Sequence, residues 1–166
     1  MSDTNKAAGK ASAVFEPKFV AGLKTMFEEK IAFNQVIGLR IDALEADGVS
    51  GHIDMRPELV GHYAHQRLHG GVISAGLDAM GGLAVMVAIG VRHLDEPLSQ
   101  RLTRFGKLGT IDLRVDYLRP ARRGDLLAVG RTLRVGRTVS VADVEVRDTS
   151  GTLVAVGRGC YASPRS

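Results

Sequence analysis

A 22-residue apolar stretch, residues 70–91, constrains the fold of this chain more than any other feature of its sequence. The stretch holds six glycines and a single ionisable side chain, Asp78, among mostly aliphatic residues. A helix that is apolar on every side has to be surrounded by other elements, and burying a carboxylate within it is costly. We therefore predict a buried central helix and treat Asp78 as a candidate functional residue.

A membrane span is the alternative for this stretch, since it is long enough to cross a bilayer. Asp78 at the middle of such a span would cost about 3 kcal/mol on insertion scales. The six glycines also dilute the hydrophobicity of the stretch, and the amphipathic strands elsewhere in the chain need a core to cover. We therefore favour the buried helix.

The first residues and the cysteine content bear on localisation and domain organisation. Residues 1–18 contain no apolar run, so they predict no secretory signal. The only cysteine, Cys160, is typical of a reducing compartment. We expect a cytoplasmic protein with a flexible segment over residues 1–15 and one domain over residues 16–166.

Helical and strand patterning surrounds the apolar stretch. Residues 17–33 predict an amphipathic helix, and residues 92–108 predict a polar, basic crossover or lid. The expected strands cover residues 36–44, 49–55, 110–117, 126–135, 138–147 and 152–161. Asp47-Gly48 predicts a hairpin turn, and the phase of the valines predicts a bulge near Ala142-Asp143. The sum is an α+β fold in which an antiparallel sheet wraps a central helix.

Charge is divided unevenly along the chain. Residues 92–166 carry fourteen basic and eight acidic side chains, whereas residues 1–91 carry eight and ten. This asymmetry indicates an anionic partner. The chain has no tryptophan and no recognisable nucleic-acid motif, so a small phosphorylated ligand explains the excess of arginine at least as well as nucleic acid.

His69-Gly70-Gly71 stands at the start of the predicted helix. The first backbone N–H groups of a helix lack intrahelical partners and lie at the positive end of its dipole. Glycine leaves these groups open to a carbonyl oxygen, which is the arrangement that stabilises an oxyanion in acyl transfer. The alternative is that the two glycines only allow a tight turn into the helix.

Asp78 follows His69 by nine residues. In a helix this spacing is half a turn out of phase and about 13 Å along the axis. Asp78 and the Gly70 amide of one helix therefore cannot meet on one carbonyl group. If both serve one reaction, they come from two antiparallel helices related by a two-fold axis, which predicts a dimer with two shared sites.

Other chemistries fit the sequence less well. It contains no Gly-x-Ser-x-Gly elbow, no Walker A loop and no dinucleotide fingerprint. His62, His65 and His69 lie in a loop with no evident carboxylate or cysteine partner, so no metal site is predicted. Cys160 is expected to be a packing residue, and no cofactor is expected.

A longer motif carries a resemblance to a known family. His69-Gly70-Gly71 is followed by Asp78 and then by the strand Gly109-Thr110-Ile111-Asp112-Leu113-Arg114-Val115-Asp116-Tyr117-Leu118-Arg119-Pro120-Ala121. Together these resemble the hotdog-fold acyl-CoA thioesterases, and within them the phenylacetate-degradation (PaaI-type) branch. The likeness covers residues 20–162 and extends through residues 92–108 to a bacterial subgroup with a similar basic insertion.

The resemblance implies a hotdog fold, a homodimer or a dimer of dimers, and hydrolysis of acyl-CoA to free acid and coenzyme A. It implies that Asp78 acts as general base or nucleophile, and that the Gly70 N–H of the partner helix polarises the thioester carbonyl. It further implies that His69 holds the loop and that the Thr110 hydroxyl helps to orient water. Gly71 beside the oxyanion site is included among the substrate-binding residues.

Further substrate contacts follow from the resemblance less directly. Many members carry Asn or Gln six residues before the motif histidine, where this chain has Tyr63; in the subgroup with the insertion, that position aligns with His62. Arg119, Arg122 and Arg137 are candidates for the phosphates of coenzyme A. A non-catalytic acyl-CoA-binding module and an acyl-CoA hydratase or dehydratase are the alternative functions.

Overall fold

The computed structural model describes residues 15–121 and 125–163 of the chain. Its helices are α1 (Pro17–Lys24), α2 (Ala32–Ile37), α3 (Gly70–Arg92) and α4 (Leu98–Phe105). Its strands are β1 (Leu39–Glu45), β2 (Gly48–Ile53), β3 (Val60–His62), β4 (Arg67–Leu68), β5 (Gly109–Tyr117), β6 (Leu126–Arg134), β7 (Val139–Asp148) and β8 (Leu153–Ala162). A π-helical turn (Thr25–Lys30) and a 3₁₀ turn (Pro57–Leu59) complete the elements.

Six of the strands form one antiparallel sheet in the order β1-β2-β6-β7-β8-β5, and β3 pairs with β4. The sheet curves around α3, which packs on strands from both of its halves. The predicted α+β hotdog architecture, with an antiparallel sheet around a long apolar helix, is therefore confirmed. Because of the strand order, β5 lies at an edge of the sheet, next to β8.

Burial in the fold explains the apolar character of α3. No surface is exposed at four of its side chains, Leu77, Met80, Leu83 and Val85. Of the most apolar 18-residue segment of the helix, 67% is buried. The sheet comes very close to the helix at Met80, since a Cβ at Gly130 of β6 would lie 2.8 Å from the Met80 carbonyl oxygen. The helix is long and apolar enough to cross a membrane, but here it forms the core of the domain.

The first predicted helix is interrupted, which corrects the expectation of one helix over residues 17–33. Ile31 has extended backbone angles, and its N–H donates to the Met26 carbonyl five residues earlier. The Phe27 carbonyl, which a regular helix would have paired with Ile31, instead accepts a hydrogen bond from the buried Asn34 side chain at 3.1 Å. α2 then continues to Ile37, so the first strand begins three residues later than predicted.

The bulge predicted near Ala142-Asp143 is also wrong. The register of β7 is continuous there, and the irregularity lies on β6 between Thr132 and Arg134. The prediction assumed that Val139 faces the core, but Val139 is 39% exposed. The inward position is taken by Ser140, whose hydroxyl pairs with the Ser163 hydroxyl at 2.6 Å and so removes the cost of burying it.

Residues 92–108 contain α4, which packs on α1. Phe105 lies edge-on to Phe19 with ring centroids 6.0 Å apart, and the guanidinium of Arg101 lies 4.8 Å from the centre of the Phe19 ring. Arg101 is 2% exposed and forms an ion pair with Glu16. The prediction of a surface crossover is therefore wrong for Arg101 and Phe105, both of which are buried. Phe15 also stacks on Phe19; the boundary predicted at residues 15 and 16 stays a prediction.

Candidate active site

Asp78 lies on α3, half-buried, where the helix faces the beginning of β5. Its Oδ1 accepts a hydrogen bond of 2.8 Å from the Thr110 hydroxyl. Thr110 and Asp78 are 32 residues apart in sequence, and the structure brings them together. The water-orienting role that the resemblance implied for Thr110 stays a prediction. A carboxylate held by a hydroxyl donor has a defined orientation, which acid–base or nucleophilic chemistry requires.

A β-bulge at Ile111 aims the two ends of β5 at α3. The pairing of β5 with β8 shifts between Thr110 and Asp112, so Ile111 is the extra residue and its side chain is 58% exposed. Because the bulge inverts the alternation of side chains, both Thr110 and Tyr117 reach α3 although seven residues separate them. Polar and apolar side chains alternate regularly along residues 110–117, so the sequence pattern did not indicate the bulge.

Tyr161 is a contact of Asp78 that sequence reasoning missed. Its hydroxyl donates to the Asp78 backbone carbonyl at 3.0 Å, and its side chain is 1% exposed. Burial, followed by the negative charge of Asp78, raises the pKa of the Tyr161 hydroxyl above its usual range. The hydroxyl is therefore a permanent donor at neutral pH. The sequence clue to this contact was the pair Gly81 and Gly159, because both leave space for the Tyr161 side chain.

The N-terminus of α3 presents one open amide. The His69 ring caps the helix, since its Nδ1 accepts the Gly71 N–H at 2.8 Å. The Gly70 carbonyl accepts the Tyr117 hydroxyl at 2.9 Å. Within residues 15–121 and 125–163, no acceptor pairs with the Gly70 N–H. Gly70 thus offers a free donor at the positive end of the helix dipole, whereas the Gly71 amide is already used by His69.

A groove of about 420 Å³ opens beside Gly70. Four of the predicted site residues line it, namely His62, His69, Gly70 and Arg119. His62 and His69 are exposed, and Arg119 donates to the Leu153 carbonyl at 3.1 Å. The structure therefore assembles the loop histidines, the helix N-terminus and one arginine in a single concave surface.

Other predicted residues lie elsewhere. Asp78 and Thr110 are outside the lining of this groove, and Asp78 is eight residues, or about 12 Å, along the helix from Gly70. Arg137 lines a separate pocket of about 210 Å³ at the C-terminal end of α3, together with Arg92, His93 and Arg104. Arg122 lies outside the described residues. One subunit thus contains two separate candidate half-sites, the Asp78 turn and the Gly70 groove.

Comparisons with known proteins identify the family of the chain. Residues 65–155, which include both half-sites, match the model of the thioesterase superfamily. The medium/long-chain acyl-CoA thioesterases YigI of Salmonella typhimurium and of Escherichia coli K12 are both 37% identical over 139 residues, which are 82% of this chain and 88% of each relative. The sequence identity and the coverage both support common ancestry over nearly the whole domain.

A solved structure extends the likeness to three dimensions. A protein from Shewanella oneidensis that is related to the thioesterase superfamily aligns with a TM-score of 0.82 and 36% identity, over 90% of this chain and 99% of that one. The family expected from the His-Gly-Gly and Asp78 motif is confirmed at the level of the superfamily, and the PaaI-type branch stays a prediction. The chain belongs to the thioesterase superfamily and is an enzyme of the thioester hydrolase class.

Proposed function

We propose that the protein hydrolyses medium- and long-chain acyl-CoA thioesters to the free acid and coenzyme A. The observation that supports this most directly is the pair of half-sites on α3. They are a carboxylate held by Thr110, and a Gly70 amide at a helix N-terminus that has no acceptor among the described residues. The names of the YigI relatives support the coenzyme A thioester and the chain length.

The chemistry needs both half-sites. The Asp78 carboxylate either removes a proton from an attacking water or attacks the thioester carbonyl itself to give an anhydride that water then hydrolyses. The carbonyl oxygen gains negative charge in either route, and the Gly70 N–H stabilises that charge. The bond from the acyl carbon to sulfur breaks, water supplies the hydroxyl of the acid, and coenzyme A leaves as the thiol.

A homodimer would join the two half-sites. Thr110, which contacts Asp78, and Tyr117, which contacts Gly70, stand at opposite ends of β5. The outer edge of β5 is unpaired among the described strands, which makes it a template for another strand. Antiparallel pairing of two β5 strands about a two-fold axis sets the Thr110 end of one beside the Tyr117 end of the other. Asp78 then faces the partner's Gly70.

The remaining site residues serve substrate binding in this proposal. His69 holds the loop by capping Gly71, and His62 contacts the substrate from the wall of the groove. Arg119 and Arg122 bind the phosphates of coenzyme A, and Arg137 contributes a further positive charge at the other end of α3. We further propose a cytoplasmic homodimer, or a dimer of dimers, that needs no cofactor.

Asp78→Asn tests the function directly. We expect the release of free thiol from a panel of C4 to C18 acyl-CoA substrates to fall roughly 10²- to 10⁴-fold, because the amide can neither accept the proton nor attack. Asp112→Asn is the matched control, since Asp112 is an exposed carboxylate on the same strand as Thr110. Full activity of Asp78→Asn with an unchanged dimer would overturn the assignment.

The same panel separates the alternatives. A binding module would retain acyl-CoA without releasing thiol, in the wild type as in the variant. A hydratase would convert an enoyl-CoA to its hydroxyacyl-CoA with the thioester bond intact. Thiol release that depends on Asp78 excludes both.

A further inference from the structure

We propose that Tyr161 is a positioning residue for the carboxylate of Asp78, and that it acts through the Asp78 backbone carbonyl. The inference deepens the proposed function and rests on it, because it requires Asp78 to be the reacting carboxylate. The Tyr161 hydroxyl donates to that carbonyl at 3.0 Å, and the side chain around the hydroxyl is 1% exposed.

The hydrogen bond ties the helix to the sheet at the reacting residue. In a regular α-helix the Asp78 carbonyl is the acceptor for the amide of Gly82, four residues later; here the Gly82 amide also interacts with the Tyr161 hydroxyl oxygen. A carbonyl oxygen has two lone pairs, so it can accept a second donor from outside the helix. Tyr161 supplies this donor from β8, which fixes the position of the Asp78 backbone relative to the strands.

Tyr161 and Thr110 hold Asp78 at two different atoms. They are direct partners across β5 and β8, so they reach the helix from adjacent positions of the sheet. Thr110 binds the side-chain Oδ1 at 2.8 Å, and Tyr161 binds the backbone oxygen. With the backbone and the carboxylate both held, the side chain has little freedom left. This is the preorganisation that places a catalytic group within reach of its target.

Two glycines leave the space that the hydroxyl needs. A Cβ at Gly81 of α3 would lie 2.1 Å from the Tyr161 hydroxyl oxygen, and one at Gly159 of β8 would lie 2.4 Å from it. Glycine is a poor helix former, so its presence at position 81 needs a reason, and the hydroxyl supplies one. The neighbouring Gly82 differs, because a Cβ there would be 3.6 Å from the Tyr161 ring, an ordinary contact.

The environment keeps this hydroxyl in its donor form. Burial, the nearby Asp78 charge and a hydrogen-bond interaction with the Asp78 side chain raise the pKa of Tyr161, and the Gly82 amide lowers it by a smaller amount. The phenol is therefore protonated, and able to donate, at neutral pH. A deprotonated phenol could not donate to the Asp78 carbonyl.

The test compares Tyr161→Phe with a matched pair of glycine variants. Tyr161→Phe keeps the ring and removes the donor, and we expect kcat for acyl-CoA hydrolysis to fall about tenfold with KM within twofold. Gly81→Ala should lower kcat by a similar factor, because its methyl group displaces the hydroxyl. Gly82→Ala should stay within twofold of the wild type. Combining Gly81→Ala with Tyr161→Phe should add little further loss, because the clash is mainly with the hydroxyl.

The outcomes separate this inference from the proposed function. Wild-type kcat in Tyr161→Phe, with Asp78→Asn inactive, overturns the role of Tyr161 and leaves the function standing. Equal kcat in Gly81→Ala and Gly82→Ala also contradicts it. Full activity in Asp78→Asn overturns both. A loss in Tyr161→Phe that matches the loss of folded protein, measured by circular dichroism, identifies a purely structural residue and likewise contradicts the inference.

Discussion

The two turns of α3 that carry the proposed site residues, Asp78 and Gly70, have opposite hydrogen-bonding arrangements. At the Asp78 turn, the chain itself supplies donors to the side chain and to the backbone, from Thr110 and Tyr161. At the first turn, His69 and Tyr117 satisfy the groups around the Gly70 amide, but that N–H has no acceptor in the part of the chain that the structure describes. The hydrogen bonds of the Asp78 turn are thus supplied within the subunit, whereas the Gly70 N–H stays available to an acceptor from outside the described residues. This contrast fits the proposed mechanism, in which a firmly held carboxylate acts opposite an amide that is available to the substrate carbonyl.

Among the substitutions that test this contrast, removal of the Gly70 N–H should lower kcat the most. Gly70→Pro deletes the N–H at a position where proline is favoured, because Gly70 is the first helical residue and His69 already has the extended backbone that precedes proline. We expect kcat to fall roughly 10²- to 10³-fold, the usual loss for one oxyanion donor. The assay is thiol release from the best acyl-CoA of the panel.

Gly70→Ala is the control for that substitution. It adds a Cβ 3.4 Å from the Tyr117 ring but keeps the N–H. It should therefore be far more active than Gly70→Pro. Equal losses in the two variants would show that space beside Tyr117, rather than the amide, is what the reaction needs.

Removing the hydrogen bond from Thr110 to Asp78 should lower kcat by a smaller factor. Thr110→Val removes the hydroxyl that binds Asp78 and keeps the shape of the side chain. A hydrogen bond to a charged group contributes about 1.5 kcal/mol at the lower end of its range, so kcat should fall roughly tenfold. Thr110→Ser, which keeps the hydroxyl, should lose much less. Undiminished activity in Thr110→Val would mean that the bond does not orient the carboxylate.

The smallest effect concerns stability at high pH. The folded protein raises the pKa of Tyr161, so above about pH 10 the unfolded chain releases this proton while the folded chain keeps it. Folding stability is then lost as pH rises, by up to about 1.4 kcal/mol per pH unit for one group. Urea unfolding between pH 8 and 11 should show a shallower decline for Tyr161→Phe.

Tyr117→Phe is the control for the alkaline measurement, because the Tyr117 side chain is 53% exposed. Its decline should parallel that of the wild type. If both variants decline as steeply as the wild type, the buried hydroxyl does not couple folding to pH.

The central helix and its candidate site residues could be proposed from the sequence because their signals are local. An apolar run with one carboxylate, preceded by His-Gly-Gly, needs no knowledge of distant residues. Helix geometry alone also showed that Asp78 and Gly70 are too far apart to share a carbonyl group. The structure confirms the buried helix and the separation of the two residues along it, and the catalytic roles of Asp78 and Gly70 stay predictions.

The features that escaped prediction depend on long-range pairing. The bulge at Ile111 and the Tyr161 contact exist only once β5 lies beside β8 and α3 lies on both. The break at Ile31 likewise depends on the buried Asn34 side chain competing for a backbone carbonyl. Side chains that replace backbone partners leave no periodic trace, so patterns of apolar residues cannot reveal them.

Mixing two inactive variants tests the central claim most directly. Asp78→Asn subunits keep an intact Gly70, and Gly70→Pro subunits keep an intact Asp78. If each site combines the two residues across the dimer, a mixed dimer regains one wild-type site. Random exchange of equal amounts should then restore about a quarter of wild-type activity, because half of the dimers are mixed and each has one of two sites. Activity no higher than that of the separate variants, with exchange verified by tagged subunits, would contradict the shared site.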